Sequence, residues 1–219
     1  MSLDKAAVIE RIRTARAVAV IRTATAEQAL DTAHAVIAGG FELVEITYGV
    51  PNAAGVIAQL VNERPDLSLG AGTVLTVEQV DESVNAGAQF LVSPCSLPEM
   101  IAAARERDVV CIPGAFTPTE VYIAYSLGAD FVKLFPAVAN GPEYLRAMRG
   151  PLPDIPIIPT SGVNIDNVAD WFRAGAVAVG AVGSVLDPEL IRNGDWDALT
   201  QRARDFLTAV QGAAKLRSS

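Results

Sequence analysis

The chain has 219 residues, a formal net charge of −8 and 51% hydrophobic residues, with aromatics only 6% of the whole. That length suits one domain with a full core, and an acidic balance without a long basic stretch argues against nucleic acid and anionic membrane as partners. No apolar run approaches the roughly 18 residues that span a bilayer, and residues 1–16 alternate charged and apolar positions without a signal-peptide core, so a cytoplasmic location is expected.

Residues 17–21 read as the first strand, followed by a helix through Ala38. Residues 41–47 form the second strand; alternation puts Leu43, Glu45 and Thr47 on one face and Val44 and Ile46 on the other. A helix over 52–63 leads to a third strand at 67–70, and Thr76-Val77-Glu78-Gln79 has the spacing of a capping box at the next helix start. The fourth strand covers 89–93 and its helix runs to Arg107; the fifth covers 109–112. Thr117-Pro118-Thr119-Glu120 then combines an N-cap, a proline at the first helical position and a glutamate three past the cap. The sixth strand carries Lys133, and its helix begins near Gly141-Pro142. Residues 156–160 are the seventh strand, Asn164 the expected cap of a helix ending near Arg173, and residues 177–180 the eighth strand. Trp196, Leu199, Ala203, Phe206, Leu207 and Val210 recur at helical spacing and predict one apolar stripe.

A repeat organises these elements. Ala38-Gly39-Gly40, Ala86-Gly87-Ala88, Leu127-Gly128-Ala129 and Ala174-Gly175-Ala176 each close a helical pattern just before an apolar run, with glycines 39, 87, 128 and 175 placed 48, 41 and 47 residues apart. Glycine after the last helical residue supplies a left-handed cap, so these are helix-to-strand corners, two strand–helix units per interval. Eight strands alternating with eight helices predict an α/β fold, a parallel (β/α)8 TIM barrel formed by residues 1–219 as one domain. A doubly wound open sheet is the alternative, but Arg22-Thr23-Ala24-Thr25 follows the first strand where a glycine-rich dinucleotide turn belongs.

Asp130-Phe131-Val132-Lys133-Leu134-Phe135-Pro136 sets a lysine among apolar neighbours, with Phe131, Lys133 and Phe135 on one face. Desolvation there lowers an ammonium's pKa and turns the amine into a nucleophile able to form a Schiff base. On this stretch alone a snorkelling lysine at a strand end is the plainer reading. Glu45 changes the balance: the second and sixth strands are both even-numbered, so their inward residues can share a layer, placing an acid opposite the amine. A structural ion pair is the alternative use of the same two groups.

Thr73, in Gly70-Ala71-Gly72-Thr73, ends the third strand, where glycines let a ligand approach the backbone and the hydroxyl can bind a carboxylate. Thr160-Ser161-Gly162-Val163 and Gly180-Ala181-Val182-Gly183-Ser184 follow the seventh and eighth strands, where barrels commonly hold phosphate on backbone N–H groups. Cys95 and Cys111 are too few for a disulfide framework or a structural zinc site and are expected as buried free thiols. His34 lies within a helical pattern, and without a second histidine a zincin motif is excluded.

Val44-Glu45-Ile46-Thr47, Gly70-Ala71-Gly72-Thr73, Val92-Ser93-Pro94, Ile112-Pro113-Gly114 with Thr117-Pro118-Thr119-Glu120, and Val132-Lys133-Leu134-Phe135-Pro136 occur in this order. Together they resemble the 2-keto-3-deoxy-6-phosphogluconate (KDPG) / 4-hydroxy-2-oxoglutarate (KHG) aldolase family, over residues 17–210. The resemblance implies a metal-independent class I aldolase, usually a homotrimer, that cleaves a 2-keto-4-hydroxy acid to pyruvate and an aldehyde with no cofactor beyond the lysine imine. Lys133 matches the Schiff-base lysine, Glu45 the general acid/base and Thr73 the ligand of the pyruvate carboxylate. Gly162, Val163 and Ser184 lie in the phosphate loops, and Pro94, Phe135, Thr160, Ser161 and Gly183 are expected beside them. Two positions depart from the pattern. Gly49 stands where many members carry an arginine four residues after the glutamate, and Arg22, matching members with an arginine ending strand one, is read as supplying that cation. Ser161 stands where the family's Thr-Gly-Gly has its first glycine. Rival readings are a phosphogalactonate-directed aldolase, a phosphate-binding barrel isomerase or synthase without an imine, and a ligand-binding pseudoenzyme.

Overall fold

A computed structural model describes residues 4–215; residues 1–3, the start of the stretch searched above for a leader, lie outside the described residues. The strands are β1 (Ala17–Ile21), β2 (Leu43–Thr47), β3 (Ser68–Gly72), β4 (Phe90–Val92), β5 (Val110–Ile112), β6 (Gly114–Ala115), β7 (Val132–Leu134), β8 (Ile157–Pro159) and β9 (Val179–Ala181). The helices are α1 (Lys5–Ala15), α2 (Ala26–Ala38), α3 (Ala53–Glu63), α4 (Val77–Asn85), α5 (Pro98–Glu106), α6 (Pro118–Ser126), α7 (Gly141–Arg149), α8 (Val168–Arg173), α9 (Pro188–Asn193) and α10 (Trp196–Lys215).

Every strand pair is parallel, in two sheets: β5-β4-β3-β2-β1-β9 and β6-β7-β8. The expected parallel α/β arrangement is found, with nine strands in two ladders among the described residues rather than eight in one. The expected fifth strand, 109–112, is found as β5; beyond Pro113, which has no N–H to donate, the short β6 pairs instead with β7. On the other side the two sheets meet at a single bridge between Thr160 and Gly180, supported by Val177 N–H donating to the Ile157 carbonyl at 3.0 Å. Pro159, another residue without a donor, ends β8 there.

Alternation divides the core. Val44, Ile46, Leu69, Ala71, Leu91, Val132 and Ile157 pack against the helices. Val18, Leu43, Phe90, Val92, Val110, Ile112, Phe131 and Ile158 point the other way and form one cluster drawn from both sheets. Val8 and Ile12 of α1 complete that cluster. This helix, which periodicity did not single out, lies under the N-terminal ends of the strands. Lys5 pairs with Asp130 at 3.0 Å just before β7, Arg11 donates to the Asp66 carbonyl at 2.7 Å just before β3, and the Arg13 guanidinium covers the Phe131 ring.

The glycine corners are real, with one shift. Gly40, Gly87, Gly128 and Gly175 have φ of +107°, +92°, +101° and +104°, so the left-handed residue of the first corner is Gly40 rather than Gly39. Each corner closes with the same pair of bonds, for example Gly87 N–H to Val84 and Ala88 N–H to Ser83, both 2.9 Å. The capping box at Thr117 is complete, with Glu120 accepting from the Thr117 N–H. At Thr76 only half is made: the hydroxyl accepts from Gln79, but the Gln79 amide turns to the Leu75 N–H instead. The helix expected from Asn164 begins later, at Val168; Asn164 caps a turn, accepting from the N–H groups of Asp166 and Asn167, both at 3.0 Å. Among the described residues no helix is long and apolar enough to cross a membrane.

Candidate active site

Lys133 is the central residue of β7, in register with Gly114 on one side and Ile158 on the other, and only 7% exposed. Its Nζ lies 5.3 Å from the centre of the Phe135 ring and 3.9 Å from Glu45 Oε1. Phe131, the second ring expected beside the ammonium, sits deeper in the interior cluster, under Arg13. Glu45 projects from β2, in register with Val20 and Gly70, and is 2% exposed.

The seat of that carboxylate is a missing side chain. A Cβ on Gly72 would fall 1.9 Å from Glu45 Oε1 and 2.6 Å from Cδ, so only glycine in β3 leaves room for Glu45. A Cβ on Gly70 would likewise meet the Phe90 ring at 2.3 Å. The glycines expected to open the backbone to a ligand are thus filled by the protein's own side chains. Glu45 Oε1 is buried without a hydrogen-bond partner among the described residues. Burial drives the Glu45 pKa upward from 4.5, only partly opposed by the positive charges of Lys133 and Arg22. Lys133, Glu45 and Thr160 line one small pocket, with free space of only about 10 Å³, walled by Val18, Val20, Val92, Ile112, Ile158 and Gly180.

Thr73 sits one residue past β3 with φ 57°, a strained conformation for a β-branched residue, and its hydroxyl accepts from Arg22 Nη2 at 3.3 Å. The Arg22 stem lies across Gly49: its Cγ and Cδ are 3.8 and 4.0 Å from where a Cβ on Gly49 would be. The Arg22 stem from the end of β1 thus lies over the position that Gly49 leaves bare, although Arg22 is largely exposed.

Thr160 is buried, its N–H donating to the Leu134 carbonyl at 3.0 Å and its hydroxyl 2.4 Å from the Cβ that Gly180 lacks. Ser161 and Gly162 follow with φ 76° and 81°. The Val163 side chain belongs to the helix-side core, which leaves only its backbone for a ligand. Among the described residues the N–H groups of Gly162 and Val163 donate to no protein acceptor. Gly183 faces open space, and Ser184 Oγ is buried without a partner among the described residues. Pro94 presses its carbonyl against the bare face of Gly114, the β6 partner of Lys133.

An amine and a buried acid of raised pKa facing each other in a small, largely apolar pocket suit proton transfer coupled to nucleophilic attack on a carbonyl. Residues 8–202 match the family model described as "Aldolase: KDPG and KHG aldolase". The chain belongs to the KDPG and KHG aldolase family. It is an aldolase, a carbon–carbon lyase. It is 36% identical over 196 residues to the 2-dehydro-3-deoxy-phosphogluconate aldolase of Pseudomonas aeruginosa, covering 89% of each chain. It is also 36% identical over 201 residues to the 2-dehydro-3-deoxy-6-phosphogalactonate aldolase of Escherichia coli K12, covering 90% of this chain and 96% of that one. A solved KDPG aldolase from Legionella pneumophila, with pyruvate captured as a covalent carbinolamine intermediate, superposes with a TM-score of 0.84 at 30% identity, covering 94% of this chain and 99% of that one.

Several residues of the aldolase's site were not foreseen. The apolar wall of Val20, Val92, Ile112 and Ile158 could have been found by extending the Glu45 alternation to the remaining strands. Asn167 steadies the Gly162 loop, donating to the Gly162 carbonyl at 2.8 Å and accepting from the Asn164 N–H at 2.9 Å. Cys95, expected buried, is exposed in the turn after β4, whereas Cys111 is buried. His34 is an exposed helix residue bonded to Glu63 at 2.8 Å. Among the described residues no group of three or more His, Cys, Asp or Glu side chains is placed to hold a metal.

Proposed function

We propose that this aldolase is of class I, that Lys133 forms an imine with a 2-keto-3-deoxy-4-hydroxy acid, and that Glu45 moves the protons. The observation carrying this reading is the buried pair itself, 3.9 Å apart with an unpartnered Glu45 Oε1. Such a gap is wider than a hydrogen bond, so the two groups are not locked to each other and a reacting hydroxyl placed beside the pair can lie within hydrogen-bond reach of both.

The free amine of Lys133 adds to C2, and Glu45 protonates the departing hydroxyl so that the carbinolamine loses water to become a protonated imine. Glu45, now a carboxylate, takes the C4 hydroxyl proton, in a step that a bridging water can relay. The C3–C4 electron pair moves onto the imine nitrogen, giving an enamine and releasing the aldehyde. Protonation at C3 and hydrolysis return pyruvate and the amine. An acid whose pKa is raised by burial is suited to act in both directions near neutral pH.

Arg22 and Thr73 orient the pyruvyl carboxylate, and the backbone of Gly162, Val163, Gly183 and Ser184 holds a terminal phosphate, with Pro94, Phe135, Thr160 and Ser161 completing the wall. The substrate is 2-keto-3-deoxy-6-phosphogluconate, 4-hydroxy-2-oxoglutarate or both, giving glyceraldehyde 3-phosphate or glyoxylate with pyruvate. Equal identity to a phosphogluconate and a phosphogalactonate enzyme favours neither C4 epimer. The strands close as a single-domain (β/α)8 barrel across the Pro113 and Thr160–Gly180 joints, and the protein works as a cytoplasmic homotrimer. Borohydride reduction with pyruvate present should add a pyruvyl mass at Lys133. No adduct, or one on another lysine, would sink the imine in favour of a synthase or a pseudoenzyme. Assaying the two phosphorylated epimers beside 4-hydroxy-2-oxoglutarate assigns the substrate.

A further inference from the structure

We infer that Arg202 on α10 is a positioning residue that sets the Gly183–Ser184 loop for the distal phosphate of the substrate. This rests on the reading of that loop as the phosphate holder and goes beyond it by assigning what fixes the loop. From β9 the chain enters a turn in which Val185 and Leu186 N–H groups donate to the Val182 carbonyl at 3.0 and 2.8 Å. Val185 and Leu186 are buried and anchor the turn from below, but nothing packs within 4 Å of the Cβ position of Gly183.

The loop is gripped from the opposite side. Arg202 Nη2 donates to the Ser184 carbonyl at 3.1 Å, and Nη1 lies 3.8 Å from Asp187 Oδ2. Asp187 in turn caps α9, its Oδ1 accepting from the Glu189 N–H at 2.9 Å. One guanidinium thus spans the loop from Ser184 to its last residue. Holding the Ser184 carbonyl fixes the peptide plane between Ser184 and Val185, and so anchors the Ser184 Cα from which the N–H and hydroxyl project; that hydroxyl is buried and unpartnered among the described residues. The guanidinium also offsets the Asp187 carboxylate, which would otherwise repel a phosphate dianion at the same loop.

Arg202 acts through the loop, so its loss should fall on phosphate and spare the imine chemistry. Exchange of the pyruvate methyl hydrogens with solvent deuterium needs Lys133 and Glu45 but no phosphate, and serves as the internal standard. Arg202→Met should raise KM for the phosphorylated substrate about tenfold, the effect of losing one charge-assisted hydrogen bond, and weaken inhibition by inorganic phosphate equally. The deuterium exchange rate should stay within about twofold on the same energy scale. Arg202→Lys, which keeps the charge without the two-point grip, should fall between and substitutes if the methionine variant does not fold. Unchanged phosphate affinity, or an equal loss in exchange and in KM with a lowered Tm, overturns the assignment. Wild-type protein that fails to exchange pyruvate overturns the imine reading instead.

Discussion

Gly72→Ala is the sharpest probe of how the site is built, because it adds one methyl group without touching either reacting residue. The new Cβ would lie 1.9 Å from Glu45 Oε1, 2.6 Å from Cδ and 2.7 Å from Cγ, so the carboxylate cannot remain. Glu45 must rotate away, and since it starts 3.9 Å from Lys133 Nζ, even a shift of about 1 Å is a misplacement of the kind that costs about 100-fold in rate. Full loss of a general acid/base costs about 10² to 10⁴-fold, so kcat should fall within that range. Overpacking should cost about 1–3 kcal/mol, lowering Tm by about 2–12 °C for a chain of this size. The assay is steady-state cleavage of Gly72→Ala, Glu45→Gln and the double variant. If the methyl acts by displacing Glu45, the second substitution adds little to the first. A Gly72→Ala enzyme within about threefold of wild type, or losses that multiply, would refute the reasoning.

Further outcomes follow from the same geometry. On the proposed mechanism Glu45 enters protonated, to discharge the carbinolamine hydroxyl, and its pKa is raised above 4.5, so kcat/KM should fall with rising pH through a value above the ordinary glutamate range. Arg22 opposes the upward shift of that pKa, so Arg22→Ala should move this limb to still higher pH while raising KM for the keto acid; pH profiles of both enzymes check it. Ser161 at φ 76° carries about 1–2 kcal/mol of left-handed strain; Ser161→Gly relieves it against about 0.5–1 kcal/mol of added chain entropy, and calorimetry should find Tm up by about 1–4 °C. Native protein should take one alkyl group from iodoacetamide, on exposed Cys95, because the Cys111 thiol is buried and pushed up to about 12; peptide mapping before and after denaturation checks it.

The helix-to-strand corners were legible because a left-handed residue followed by an apolar run has few uses, and all four glycine corners close with the same hydrogen-bond pair. The Glu45–Lys133 pairing was legible because side-chain direction alternates strictly along a strand. What a local pattern cannot carry is what fills a gap from elsewhere in the chain. Gly70 and Gly72 looked like access for a ligand, yet Phe90 and Glu45 occupy their open faces. Arg22 and Gly49 are 27 positions apart, and only the fold lays one across the other. Short α9 and the interior-plugging α1 escaped because one offers too few turns for a periodic signal and the other buries only Val8 and Ile12.

That plug under the strands has a kinetic consequence. Val8 and Ile12 of α1 pack among the interior side chains where the strands begin, so a ligand has its approach from the residues that follow their far ends. On the proposed imine mechanism the three-carbon fragment stays bonded to Lys133, whereas the fragment cut loose is held by no covalent bond. That mechanism predicts ordered departure, aldehyde ahead of pyruvate, and entry of the keto acid first in the synthetic direction.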